Sequence, residues 1–333
     1  MTLKKSAIVL LNLGTPEAPT VSSVRKFLRA FLSDPRVVEL PRLLWLPILY
    51  GIILPLRPKK ALQAYTMVWT EEGSPLKAIT DKQVQALAHI AQAQMGDAVE
   101  VVAAMTYGEP ELEGQIKALR ARGVSRIILL PLYPQYSATT TAPIYDQVAR
   151  YIRRTRHIAE VFLVNAYYDR KDYIAALSAS ISEHWQQNGR NEKLLFSFHG
   201  IPQRCVDKGD PYYDHCVATA NAVAQKLALP ADAWAISFQS RLGKAKWLQP
   251  YTDKLLVEWA SAGVQSVDVI CPAFATDCIE TLEEIQGENQ ELFLHAGGQR
   301  FGYVPCLNDR ADHIDMMWAI VKPLLLNSAD YTH

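Results

Sequence analysis

The sequence is short of most features that place a chain quickly. Five cysteines are scattered over 333 residues (Cys205, Cys216, Cys271, Cys278 and Cys306), with no C-x-x-C pair. Zinc-ribbon and metal-cluster readings therefore lose their main support. Charge of one sign is not in excess, since Lys plus Arg and Asp plus Glu both number 34. That balance gives none of the broad basic surface that nucleic acid requires, and points to a small-molecule substrate or a protein partner. Walker loops, G-x-S-x-G elbows and H-E-x-x-H pairs are missing, and LNLGTP has too few glycines for a dinucleotide fingerprint. The N-terminal MTLKKSAIVLLNLGTPEAP has a short, strand-like apolar run closed by Gly-Thr-Pro, not by a small-residue cleavage site. A reducing, cytoplasmic setting is expected.

What is present is ordinary for a globular chain: 49% hydrophobic and 20% charged residues, in a length that suits two domains of about 150 residues each. One stretch departs from this. Leu43 to Leu56 reads LLWLPILYGIILPL, uncharged and flanked by Arg42 and Arg57. It falls short of the about 20 residues of a spanning helix and contains Pro47 and Pro55. Two readings stay open. One is a buried helix pair; the other is an exposed apolar lip that dips into a bilayer surface or lines a pocket mouth, with Trp45 and Tyr50 suited to an interface. On the second reading, Asp at Leu49 or Ile53 should weaken vesicle binding.

Short apolar runs alternate with segments of helical period. Strands are expected at Ala7–Asn12, Val101–Met105, Arg126–Pro131 and Val161–Val164, then at Leu194–Phe198, Ala233–Phe238, Val267–Cys271 and Gly302–Val304. Helical patterns such as Asp81–Ala93, Glu111–Arg122 and Tyr213–Ala228 lie between them, which argues for parallel sheets covered on both faces. The halves echo one another: LLNLGTP and FSFHGIP both end a strand in Gly-x-Pro, and LLPLY and VICPAF both precede a helix start. Two α/β units of similar topology are expected to meet near residues 165–175, with Asp312–Leu326 as a closing helix packed across either half.

Open parallel sheets bind ligands beyond the carboxyl ends of their strands. That rule selects Asn12 and Gly14, Tyr107, Tyr133 to Thr141, His199, Gln239 to Arg241, and Phe274 to Glu280. His199, in FSFHG, follows its strand directly. It is either a satisfied structural residue or, next to a glycine that permits close approach, a neutral base. In ATDCIETLEEI, Thr276 or Asp277 can cap a helix, and Asp277, Glu280 and Glu284 at i, i+3 and i+7 share one face. That acidic turn is either a solvated complement to the helix dipole or a line of carboxylates that passes a divalent metal or protons. Cys278 as a nucleophile lacks a base partner.

On these segments the chain resembles the ferrochelatases over nearly its whole length, in the family's order: LLNLGTPEAP, the apolar lip with LRPKKALQAY, GSPL, YPQYSATTT, SFHGIP with GDPYY, FQSRLGKAKWLQPYT and FATDCIETLEEI. The resemblance implies an α/β protein of two similar Rossmann-like (flavodoxin-like, chelatase-type) domains with parallel sheets and a porphyrin cleft between them. The domains would span residues 1–168, carrying the lip at 37–56, and 169–309, carrying His199 and Glu280, with the closing helix in 310–333. It implies insertion of Fe(II) into protoporphyrin IX to give protoheme. His199 and Glu280 would be the catalytic residues and the metal contacts, with Asp277 and Glu284 as a proton or metal relay. Leu13, Tyr65, Tyr107, Tyr136, Trp247 and Phe274 would line the porphyrin site, and Arg57 and Ser74 would meet propionates.

The expected partners are protoporphyrin IX and Fe(II), the iron being substrate and no cofactor being required. Peripheral membrane contact would run through residues 43–56. Three positions depart from the pattern of many members: Cys278 replaces His, Thr106 replaces Arg, and Leu13 replaces Met. A metal route that uses those side chains is therefore not expected. The ending SADYTH carries no cysteines, so no iron–sulfur cluster is expected. Two other readings are a chelatase for coproporphyrin III or another tetrapyrrole, and a non-catalytic tetrapyrrole carrier; turnover with excess substrate separates the second.

Overall fold

Ser6–Asn12 (β1) is an unbroken apolar run between a polar residue at each end and is buried at every position, the pattern of a central strand of a parallel sheet covered on both faces. The computed structural model, which describes residues 5–326 apart from Leu242 and Lys244, builds a four-stranded parallel sheet around it. Val99–Met105 (β2), Arg126–Pro131 (β3) and Glu160–Leu163 (β4) complete this sheet in the order β2-β1-β3-β4. A second sheet repeats the pattern. Lys193–His199 (β5), Trp234–Gln239 (β6), Ser266–Ile270 (β7) and Arg300–Val304 (β8) lie parallel in the order β6-β5-β7-β8. The repeat legible in the two Gly-x-Pro strand ends is thus a repeat of topology. All eight expected strands form, with ends within two residues of the expectation.

Two compact units result. The first holds the described residues up to Leu132, then Ala138–Asn165 and the described residues from Asp309 on; the second holds Tyr133–Ser137 and Ala166–Asn308. The helix Ala311–Leu326 is counted with the first unit, not as a third piece. Its buried face (Ile314, Met317, Trp318, Val321) packs on the helix Pro75–Met95 and on β3. Trp318 donates to Gln94 at 3.0 Å, and Arg126 donates to the last-turn carbonyls of Leu324 and Leu325.

The apolar run between Arg42 and Arg57 is helical throughout: Arg42–Ile48, a π-helical Leu49–Ile53, then Leu54–Val68. Both readings of it hold in part, on opposite faces. Trp45, Leu49 and Leu54 are buried with Leu32, and the Trp45 indole donates to the Leu32 carbonyl at 2.7 Å. Trp45 is thus a core residue and not an interface aromatic. Leu43, Leu44, Tyr50, Ile52 and Leu56 are exposed, Leu43 to 90%. Among the described residues no helix is long and apolar enough to cross a membrane.

Candidate active site

In the second unit the polar groups gather where β5, β6 and β7 end. His199 is the last residue of β5 and lies in register beside Gln239, the last of β6. Its Nδ1 is 2.6 Å from the Gly200 carbonyl oxygen. A carbonyl only accepts, so the proton is on Nδ1 and the Nε2 lone pair is left for chemistry. Glycine at 200 lets the chain pass close to β6: a Cβ there would stand 2.7 Å from the Gln239 carbonyl and 3.3 Å from the Trp247 ring. Gly200 N–H donates to Gln239 O at 2.8 Å, and the Tyr212 hydroxyl donates to His199 O at 2.9 Å. The imidazole lies 6.2 Å from the Phe274 ring. Burial lowers its proton affinity below the ordinary histidine value, against the Glu280 charge and the Gly200 carbonyl, which raise it.

The acidic segment is not one continuous α-helix. Ile279–Leu282 makes a single turn and Glu284–Asn289 is π-helical, so the α-helical i, i+3, i+7 spacing does not describe it. The cap is neither Thr276 nor Asp277. Cys278 occupies it, and its N–H donates to Thr281 Oγ1 at 3.0 Å. Glu280 is partly exposed. Glu284 accepts from the Ser240 N–H at 2.7 Å and from the Ser240 hydroxyl. Burial pushes its carboxyl up to about 7, while the Ser240 bonds pull it down and the Glu280 charge adds to the rise.

Asp277 is the opposite case. Its carboxylate is buried and accepts from Tyr303 OH (2.5 Å), Asn308 Nδ2 (2.6 Å), the Thr281 hydroxyl (3.0 Å) and Cys306 N–H (3.4 Å). Burial also raises the thiols of Cys271, Cys278 and Cys306 well above the ordinary cysteine value, which disfavours the thiolate that a nucleophilic Cys278 would need.

Two other expected aromatics of this unit are partly exposed. Trp247 is bridged to Pro202, and Tyr136 donates its N–H to His215 Nδ1 at 3.2 Å. Arg241 pairs with Asp253 and lies over the Tyr251 ring.

The remaining expected residues belong to the first unit. Gly14, at φ +107°, follows β1 so closely against Tyr107 that any Cβ would overlap the Tyr107 carbonyl. Tyr107 is buried, its hydroxyl donating to Asp34 at 2.9 Å. Tyr65 is buried too, and Ser74 is buried and accepts from the Thr15 hydroxyl at 2.8 Å. Arg57 is exposed on Leu54–Val68, and Leu13 is partly exposed.

Sequence reasoning missed Tyr212, Tyr303 and Asn308. The strand-end rule, carried on past β8, would have reached Asn308, whereas Tyr303 lies inside that strand. Among the described residues no group of three or more His, Cys, Asp or Glu side chains forms a metal cage.

Two parallel sheets of identical order, one with an imidazole and carboxylates at its strand ends, define a chelatase-type α/β protein. Solved structures share the fold: SirB from Bacillus subtilis with Fe3+ superposes at a TM-score of 0.56 over 98% of both chains, at 13% identity. CbiX, described as the terminal enzyme of siroheme biosynthesis in denitrifying bacteria, superposes at 0.51, covering 96% of this chain and 98% of its own, at 12% identity.

Sequence relatives are far nearer. Ferrochelatase 2 of Shewanella oneidensis is 49% identical over 96% of this chain and 98% of its own length. The ferrochelatase of Aeromonas hydrophila is 50% identical over 95% and 98%, and that of Methylibium petroleiphilum 50% identical over 93% and 85%. The ferrochelatase family model matches residues 5–324. The chain belongs to the ferrochelatase family, the metal-inserting lyases of heme biosynthesis.

Proposed function

We propose that this protein inserts Fe(II) into protoporphyrin IX, with His199 Nε2 taking pyrrole protons and Glu280 and Glu284 passing them outward. The observation that carries this reading is the bond from His199 Nδ1–H to Gly200 O. It fixes one tautomer and leaves the other nitrogen as an acceptor, and burial favours the neutral ring that a base must be. Metalation replaces two pyrrole protons in a nearly planar ring whose nitrogen lone pairs are hidden. Contacts remote from those nitrogens can bend the ring and expose them.

Tyr136, Trp247 and Phe274 are suited to grip the ring. Leu13, Tyr65 and Tyr107 are the family's expected ring contacts in the other unit, and Arg57 and Ser74 its propionate contacts. His199 and Glu280 are the groups that would meet the iron, which is substrate; no resident cofactor is invoked. Asp277, with four donors on its carboxylate, suits the fixed point on which Glu280 hangs better than a relay member. The exposed face Leu43, Leu44, Tyr50, Ile52 and Leu56 suits a cytoplasmic enzyme that rests on a membrane surface through residues 43–56, where an apolar porphyrin partitions.

The test is anaerobic Fe(II) insertion followed by loss of porphyrin fluorescence, with His199→Ala alongside. Multiple turnovers of protoporphyrin IX by the wild type, and porphyrin binding without turnover by the variant, are expected. Turnover of coproporphyrin III alone would move the substrate assignment. Binding of either without turnover would mark a carrier.

A further inference from the structure

Beneath the site lies a set of polar side chains inside an otherwise apolar sheet. Ser197, Ser237, Gln239, Thr252 and Cys271 are all at most 2% exposed. Ser197 and Ser237 each share a hydrogen bond with Thr252 at 2.9 Å. Ser197 also donates to Gln239 Oε1 at 2.7 Å, and Cys271 Sγ lies 3.5 Å from the same oxygen. Apolar residues of like size would fill this space without the cost of burying polar groups, so the pattern asks for a reason.

Gln239 supplies one. Its side-chain amide donates to the backbone carbonyl of Glu280 at 2.6 Å, just before the single α-turn gives way to the π-helical segment. Its own backbone carbonyl accepts from Gly200 N–H, and its Cα is paired in register with His199. Ser197 and His199, two apart on one strand, face the same side, so the hydroxyl that fixes Oε1 stands under the imidazole. One residue therefore touches the strand end that carries the base and the turn that carries the acid.

We infer that Gln239 is a positioning residue of the insertion reaction: it sets the backbone of Glu280 against the end of β5, and Ser197 locks its amide in the orientation that does so. The inference rests on the roles given above to His199 and Glu280. Displacing a reacting group by a fraction of an ångström lowers turnover without altering how the porphyrin is held.

The variant to make is Gln239→Met, of similar shape but with neither amide group. Its kcat should fall about tenfold or more while KM for porphyrin stays at the wild-type value. Ser197→Ala should fall less, and in the Gln239→Met background it should have no further effect on kcat, because the two act through one bond. Ser237→Ala, which loses only its bond to Thr252, should melt lower with kcat unchanged.

Wild-type kcat in Gln239→Met, or an equal loss of kcat in Ser237→Ala, overturns the inference. If Gln239→Met does not fold, Ser197→Ala decides alone: a lowered kcat at constant KM supports the inference, and an unchanged kcat overturns it. His199→Ala and Glu280→Gln run in parallel keep the two claims apart. Normal turnover in those variants removes the underlying reading, whereas their loss beside a normal Gln239→Met removes only this inference.

Discussion

Ser240 donates twice to Glu284, through its backbone N–H to Oε1 at 2.7 Å and through its hydroxyl to Oε2. Ser240 does this from a left-handed backbone, φ +64°, a conformation costly for a non-glycine residue and one that gathers at functional sites. Two forces oppose each other on this carboxyl. Burial, helped by the Glu280 charge, disfavours the anion; the Ser240 donors and the Gln239 side chain favour it; burial wins, leaving the carboxyl at about 7.

The first prediction concerns stability against pH. A carboxyl raised from 4.5 to about 7 takes up a proton as the chain folds. Its stabilising contribution is full below the lower value and is lost as pH rises through the upper one. Glu284→Gln is neutral throughout and has no such loss. The melting temperature of the variant relative to wild type should therefore climb by a few degrees between about pH 5 and about pH 8. A flat difference over that interval would mean that the carboxyl is not displaced.

His199→Asn separates the two ring nitrogens. Asparagine can keep a donor near the Gly200 carbonyl, but it has nothing at the place of Nε2. The variant should melt close to wild type and bind porphyrin, with insertion slowed by about 10²–10⁴-fold, the scale of a lost general base. Near-normal insertion would falsify the assignment of Nε2 as proton acceptor.

Much of this was legible beforehand, for a physical reason. β1, β3 and β5 are apolar because both faces are covered, so their composition alone marks them, and the rule that sites follow strand ends led directly to His199. What was not legible depended on side-chain direction. Trp45 and Leu49 belong to the same apolar run as Leu43 and Ile52, and composition cannot say which face of a helix turns inward. The acidic segment misled through period: i, i+3, i+7 presumes 3.6 residues per turn, and the π-helical Glu284–Asn289 changes the phase. Tyr303 and Asn308 lie more than twenty residues beyond Asp277 in sequence, with no local pattern linking them to it.

The lip offers a prediction in which those directions matter. Leu43→Asp and Ile52→Asp place a charge on the exposed face. Each should weaken binding to anionic vesicles about tenfold, the value of one apolar side chain withdrawn from the interface, with little change in melting. Leu49→Asp, expected from sequence to act the same way, instead puts a carboxylate at a position with 0% exposure and should unfold the protein or lower its melting temperature steeply. Flotation with vesicles and a thermal melt on each variant distinguish the two. Wild-type flotation by Leu43→Asp and Ile52→Asp would remove the membrane reading.

Asp277 tests whether the acidic line is a relay along its full length. Tyr303, Thr281 and Cys306 donate to Oδ1 and Asn308 donates to Oδ2, while Asn308 Oδ1 accepts the Asp277 N–H at 2.8 Å. In Asp277→Asn the new amide can keep its oxygen toward the first three donors, but its NH2 then meets the NH2 of Asn308. Asn308 cannot turn over without giving up its bond to the backbone of residue 277, so one buried donor is stranded at a cost of about 1–3 kcal/mol. If the carboxylate is an anchor, Asp277→Asn lowers the melting temperature clearly and kcat only slightly when assayed well below that temperature. Glu280→Gln should show the reverse, with kcat lost and melting kept. A deep loss of kcat in Asp277→Asn without a shifted melt would return Asp277 to the proton path, because a group that only holds the turn cannot fail in transfer while the turn stays in place.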